Sequence, residues 1–118
     1  MSPAARLTFA DFAEANRTRC VDSFHRLINE ASVPAFVLGV AEEAGEVAGA
    51  VRALLGITKR KAGIEPADVG NEIADLVSYA DLLAQALGMT LEEVLVAKFN
   101  KVSERVGSPI RLGEVRRG

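Results

Sequence analysis

Residues 37–51 read VLGVAEEAGEVAGAV, an apolar segment that carries three carboxylates at its centre, Glu42, Glu43 and Glu46. No lysine or arginine lies between Arg26 and Arg52, so the segment brings no cation of its own to neutralise them. On an α helix these side chains span an arc of roughly 100°, and like charges this close destabilise the helix. The stretch therefore predicts an apolar helix whose acidic cluster is compensated by something else.

A second acidic cluster follows in residues 68–83, DVGNEIADLVSYADLL. Asp68, Glu72, Asp75 and Tyr79 recur at helical spacing and fall within about 60° of one another. Helix bundles build metal sites from acidic residues on facing helices, and hard cations such as Mg²⁺ take oxygen ligands. Neither cluster contains histidine, which favours Mg²⁺ or Mn²⁺ over zinc or a di-iron centre. The alternative is that both clusters are solvated helix faces. Asp68 is also a candidate helix cap, and Asp81 points away from the acidic stripe.

A basic stripe follows in residues 98–107, KFNKVSERVG. Lys98, Lys101 and Arg105 lie three and four residues apart and share one helix face. They are candidates for binding phosphate oxygens, because arginine offers a bidentate fork and lysine a compact charge. Alternatively, they only complement the dipole at the carboxyl end of a helix. Asn100 projects from the opposite side and is either a surface residue or a contact to a neighbouring subunit.

Helix start and stop signals divide the chain into four helices, and strand-like alternation is absent. Proline and glycine mark most of the breaks, with Ser32 as a candidate cap before Pro34. The predicted helices run from Thr8 towards Phe24 and Leu27, from about Ala35 to Leu55, from about Ala67 to Leu87, and from Thr90 to Gly107. We therefore predict an all-α fold, a four-helix bundle.

Length and composition indicate one globular domain spanning residues 1–118, with 49% hydrophobic and 25% charged residues. A net charge of −2 gives no electrostatic reason to expect nucleic acid or a membrane as a partner. We find no signal peptide and no run of membrane-spanning length. The single cysteine, Cys20, is expected to be buried filler and suits a reducing, cytoplasmic location. A core this small favours a homo-oligomer.

The acidic motifs Glu-Glu-x-x-Glu (42-EEAGE-46) and Glu-x-x-Asp (72-EIAD-75) resemble those of the MazG-like all-α nucleoside triphosphate pyrophosphohydrolases. The similarity continues through residue 107 and covers roughly residues 33–110. It implies a four-helix bundle that assembles into a homo-dimer or homo-tetramer. It further implies hydrolysis of a (d)NTP to a (d)NMP and pyrophosphate, as in nucleotide-pool housekeeping.

The resemblance also implies roles for individual residues. The implied ligands of Mg²⁺, or of Mn²⁺, are Glu43, Glu46, Glu72 and Asp75. The preceding Glu42 matches a position that binds a further metal or activates the attacking water as a general base. The implied phosphate-binding residues are Lys98, Lys101 and Arg105. Tyr79 occupies a place where family members contact the sugar or the base of the nucleotide.

Base recognition departs from the pattern, because members selective for certain pyrimidine deoxynucleotides often use tryptophan and this chain has none. Phe36 and His25 are candidates near the pocket, although His25 is alternatively a partly exposed helix residue. The loop Lys59-Arg60-Lys61 either closes over the phosphates or is simply solvated. Two rival functions remain: a phosphoribosyl-ATP pyrophosphohydrolase-like enzyme, and a non-catalytic helical module for oligomerisation or interaction.

Overall fold

The computed structural model describes residues 7–57 and 63–113. Within these ranges it contains four α helices and no strand. The helices are α1 (Phe9–Asp22), α2 (Val33–Leu54), α3 (Pro66–Ala86) and α4 (Leu91–Val106), with a short 3₁₀ turn (Glu30–Ser32) before α2. The prediction of an all-α chain with four helices is confirmed. The predicted Lys59-Arg60-Lys61 loop lies outside the described residues.

Three of the helix starts are stabilised by side-chain caps. Thr8 and Thr90 each accept a hydrogen bond from the backbone N–H three residues further on, at 3.0 and 3.1 Å. Asp68 accepts one from the N–H of Glu65 at 2.8 Å, which confirms its capping role at α3. At the other end of the fold, α4 stops at Gly107, whose φ of 73° is the left-handed conformation that glycine adopts without strain.

The first helix is shorter than the sequence predicts. It ends at Asp22 rather than continuing towards Leu27. The backbone N–H groups of Ser23 and Phe24 both donate to the carbonyl of Arg19, at 2.9 and 3.2 Å, so they close the last turn instead of extending the helix. The residues beyond Asp22 therefore leave the helix and turn back on its last turn.

His25 makes this reversal, so the prediction of a helical His25 is wrong. Its φ of 54° lies in the left-handed region that side chains rarely adopt, and its side chain is exposed. The following N–H, of Arg26, donates to the carbonyl of Cys20 at 3.1 Å. The hydroxyl of Ser32 donates to the carbonyl of Leu27 and makes no capping bond to α2, unlike the predicted cap.

The core lies where α1, α2 and α3 meet. Its buried members are Cys20, Phe36, Leu82 and Ala86, and the prediction that Cys20 is buried is confirmed at 2% exposure. α2 and α3 form the main helix pair. At their contact the ring of Tyr79 packs directly on the backbone of Gly39, where no β-carbon would fit.

A buried polar network joins α1 to α3. Asp81 is fully buried, and its Oδ2 accepts hydrogen bonds from Asn16 Nδ2 and Gln85 Nε2, both at 2.9 Å. The same amide of Asn16 donates to the carbonyl of Ser78 at 2.9 Å, and that of Gln85 to the carbonyl of Ala13 at 3.1 Å. Asp81 does point away from the acidic stripe, and its role is to hold α1 in place.

The described part of the chain leaves much apolar surface uncovered. Leu27, Leu38, Leu55 and Val106 are each more than 60% exposed. The radius of gyration is 17.3 Å, compared with about 13.5 Å for a compact domain of this length. Among the helices of the described ranges, none has the length and apolar character needed to cross a bilayer.

Candidate metal centre and adjoining cleft

Three carboxylates from two helices meet at one point. Glu43 on α2 and Glu72 and Asp75 on α3 each place an oxygen so that all three atoms lie within 4.8 Å of one another. Glu72 and Asp75 are three residues apart and therefore share a face of α3. Glu43 and Glu72 are partly buried, whereas Asp75 is exposed. We call these three residues the acidic triad.

Within the described residues, the carboxyl of Glu43 is surrounded by other negative charges. Burial raises the pKa of the Glu43 carboxyl, and the negative charges of Asp75, Glu72, Glu42 and Glu46 raise it further. No lysine or arginine of the described residues offsets this shift in the pKa of Glu43. Because charged acids this close repel one another, the arrangement favours either protonation or a bound cation.

The donor set fits a hard divalent cation. Carboxylate oxygens are the ligands that Mg²⁺ prefers, and it commonly keeps water and substrate phosphates in its remaining positions. Three carboxylates on the open edge of a helix pair leave such positions available. No histidine belongs to the triad, whose donors are therefore all oxygen atoms.

The other two carboxylates of α2 lie beside the triad rather than in it. Glu46 and Glu42 are both exposed, and neither belongs to the set of mutually close oxygens. Their charges nevertheless act on Glu43, because both raise the pKa of its carboxyl. The structure thus brings Glu43, Glu72 and Asp75 together and leaves Glu42 and Glu46 exposed on α2 outside the triad.

A cleft of about 440 Å³ adjoins the triad, with Glu43 and Asp75 in its wall. Tyr79, on α3, also lines it and is held there by its packing on Gly39. Phe36 contributes to the wall but is 0% exposed, so it supports the cleft from within the core.

The opposite wall comes from α1 and the turn that follows it. Asn16 and Arg19 on α1, and Phe24 and Arg26 in the turn, all line the cleft. His25, in the same turn, does not. Sequence reasoning missed this wall. The available signal was the polar pair Asp81 and Gln85, four residues apart on one face of α3, whose side chains bind Asn16 and the Ala13 carbonyl of α1.

The basic stripe of α4 lies elsewhere in the protomer. Lys98, Lys101 and Arg105 are exposed, and no residue of α4 lines the cleft. Lys98 instead borders a separate apolar groove on α4 of about 460 Å³. Asn100 bonds Leu112 of the same chain: its amide nitrogen donates to the Leu112 carbonyl at 2.9 Å, and its amide oxygen accepts from the Leu112 N–H at 2.7 Å.

Comparison with protein families matches residues 32–108 to the MazG nucleotide pyrophosphohydrolase domain. The match covers more than half of the chain and includes α2, α3, α4 and the whole acidic triad. It does not include α1 or the turn that forms the opposite wall of the cleft. Comparisons with curated proteins and with solved structures gave no match.

Proposed function

This chain belongs to the MazG nucleotide pyrophosphohydrolase family, and from that premise we propose that it hydrolyses nucleoside or deoxynucleoside triphosphates to the monophosphate and pyrophosphate. The observation that carries the proposal is the acidic triad, with oxygens within 4.8 Å, at the edge of a cleft of about 440 Å³. Clefts of this size hold small-molecule ligands. We further propose a role in nucleotide-pool housekeeping.

Glu43, Glu72 and Asp75 are the proposed ligands of Mg²⁺ or Mn²⁺, and Glu46, three residues after Glu43 on α2, is the proposed fourth. When bound, the cation supplies Lewis-acid stabilisation of phosphate charge. Glu42 is exposed on α2, where it can accept a proton from the attacking water as general base. Water is added across the α–β phosphoanhydride. The α phosphorus gains the hydroxyl and becomes the monophosphate, and pyrophosphate leaves with the bridging oxygen and the remaining proton.

Tyr79 is the proposed contact to the nucleoside. Its ring lines the cleft, and Gly39 fixes the plane of the ring from behind. A fixed aromatic ring offers a stacking surface to a base or a sugar without a large loss of side-chain entropy on binding.

We propose that the chain works as a homo-dimer or homo-tetramer. The exposed apolar side chains and the large radius of gyration favour a second copy as the covering partner. In such an assembly Lys98, Lys101 and Arg105 of a neighbouring protomer are the proposed additional phosphate-binding residues. Light scattering coupled to size-exclusion chromatography tests this directly, and a monomer at micromolar concentration contradicts it.

The activity is tested by pyrophosphate release from a panel of NTPs, dNTPs and phosphoribosyl-ATP, with Mg²⁺ and with excess EDTA. We expect Mg²⁺-dependent release from at least one nucleoside triphosphate and its loss in Asp75→Asn. Glu104→Gln, an exposed change on α4, is the matched control. Release from phosphoribosyl-ATP alone identifies the rival enzyme, and no release from any substrate supports the non-catalytic module.

A further inference from the structure

The face of α1 that meets the cleft is defined by two buried residues. Asn16 and Cys20 are 4% and 2% exposed and lie four residues apart, so this face packs against the rest of the fold. Arg19 lies between them along the helix and lines the cleft. The Asn16–Asp81 hydrogen bond of 2.9 Å fixes α1 to α3. It therefore also fixes the backbone position from which the Arg19 side chain extends.

The turn after α1 brings a second arginine to the same wall. Arg26 returns to α1 through its N–H, which bonds the carbonyl of Cys20 at 3.1 Å, while the thiol of Cys20 donates to the carbonyl of Arg26 at 3.7 Å. The guanidinium of Arg19 lies 5.8 Å from the centre of the Phe24 ring, within the range of a cation–π contact. α1 and the turn that follows it thereby bring two arginines to the cleft.

The hydrogen-bond donors of these two arginines are not used within the described residues. Among the described residues, the guanidinium groups of Arg19 and Arg26 donate no hydrogen bond to protein acceptors, whereas that of Arg17 bonds Gln85 at 3.2 Å. Each guanidinium therefore keeps its five donors for a ligand. A planar fork of donors matches phosphate oxygens in a bidentate manner.

We propose that Arg19 and Arg26 bind the phosphate groups of the substrate and of the pyrophosphate product from within the same protomer, with Phe24 positioning Arg19. The inference rests on the proposed function and deepens it. It assigns phosphate binding to a segment outside the matched residues 32–108. It also requires no residue of α4.

Binding of inorganic tripolyphosphate, followed by calorimetry in Mg²⁺, tests the assignment without turnover. We expect Arg19→Gln and Arg26→Gln each to weaken binding at least about tenfold, as for the loss of a charge-assisted hydrogen bond. Arg19→Lys keeps the charge but loses the fork, and is expected to fall between wild type and Arg19→Gln. The control is Arg52→Gln, an exposed cation that does not line the cleft. Affinities of both glutamine variants within twofold of wild type overturn the proposal.

The positioning role of Phe24 has its own test. Phe24→Ala is expected to weaken tripolyphosphate binding severalfold in the wild-type background but to add little to Arg19→Gln. Equal effects in both backgrounds overturn this role. A circular dichroism melt of each variant confirms that the helices are intact.

Steady-state kinetics separate this inference from the proposed function. If the wild type releases pyrophosphate, Arg19→Gln and Arg26→Gln are expected to raise KM more than they lower kcat. If the wild type turns over substrate but the variants keep the wild-type KM and tripolyphosphate affinity, only this inference is defeated. No turnover by the wild type, combined with arginine-dependent tripolyphosphate binding, defeats only the proposed function.

Discussion

Replacing Glu43 by glutamine is expected to stabilise the metal-free protein. Glu43 is the triad member whose pKa is raised, by burial first and then by the surrounding carboxylates. Glutamine keeps the size and polarity of the side chain but removes the charge. In excess EDTA, where no divalent cation offsets the repulsion, the variant should therefore melt at a higher temperature than the wild type.

The magnitude follows from the triad geometry. Two unit charges at the upper limit of 4.8 Å repel by about 0.9 kcal/mol at the dielectric constant of water, and screening at physiological ionic strength reduces this to roughly 0.5 kcal/mol. Glu43 makes two such pairs, with Glu72 and Asp75. The expected gain is about 1 kcal/mol in the free energy of unfolding, or roughly 4 °C in melting temperature.

The gain should depend on pH in a defined direction. Because the folded-state pKa of Glu43 is raised above its ordinary value of 4.5, the folded state binds the proton more tightly than the unfolded chain. The metal-free wild type is therefore most favoured, with respect to this group, below pH 4.5, and loses that stability as the pH rises through the raised pKa. The difference between variant and wild type should grow from acidic to neutral pH.

Saturating Mg²⁺ should reverse the order. A cation at 100 times its dissociation constant stabilises the folded state by about 2.7 kcal/mol, and the variant with one ligand fewer gains much less. Differential scanning fluorimetry in EDTA and in a Mg²⁺ titration measures both effects, with Glu104→Gln as the control. The reasoning is refuted if Glu43→Gln melts below the wild type in EDTA, or if Mg²⁺ raises both proteins equally.

Three further predictions concern stability, each measured by urea denaturation followed by circular dichroism. Gly39→Ala should destabilise the fold by roughly 1–3 kcal/mol, because its β-carbon would lie 2.9 Å from Cγ of Tyr79. Gly45→Ala, with nothing within 4 Å of its β-carbon, should stabilise the fold by roughly 0.5–1 kcal/mol. The opposite signs would refute the packing of Tyr79 on Gly39. Asp81→Ala should cost roughly 1–3 kcal/mol, because the Asn16 and Gln85 amides each lose one of their two acceptors, and a neutral result would contradict the polar network. His25→Gly should stabilise the fold by up to about 1 kcal/mol, because φ is 54° there. His25→Val, which places a β-branched residue at the same φ, should destabilise it.

Helix boundaries were predictable where the chain carries explicit signals. Pro34 and Pro66 lie in the first turns of α2 and α3, and Gly107 ends α4 in the conformation expected of a glycine. The end of α1 has no such residue. His25 adopts the left-handed conformation instead, and the apolar pattern continues through Leu27 without helical structure. Sequence periodicity alone could not distinguish that turn from another helical turn.

The acidic triad was predictable within each helix but not between them. Spacing places Glu72 and Asp75 on one face of α3, yet only the register of α2 against α3 selects Glu43 over Glu46 as the nearest carboxylate. The register depends on packing at Gly39 and Tyr79, where a missing β-carbon admits a ring. The spacing within α4 likewise gave no information about its distance from α2, and α4 does not line the cleft of its own protomer.

The two walls of the cleft come from different parts of the sequence. The wall with the acidic triad belongs to the family-matched residues, and the wall with Arg19, Phe24 and Arg26 precedes them. The two are joined by the bond between Asn16 and the fully buried Asp81. Substitutions in the turn after α1 therefore change what the cleft presents to a ligand while the triad stays intact. Loss of that buried bond instead loosens the attachment of α1 as a whole, so its effect on ligand affinity should exceed that of losing one guanidinium.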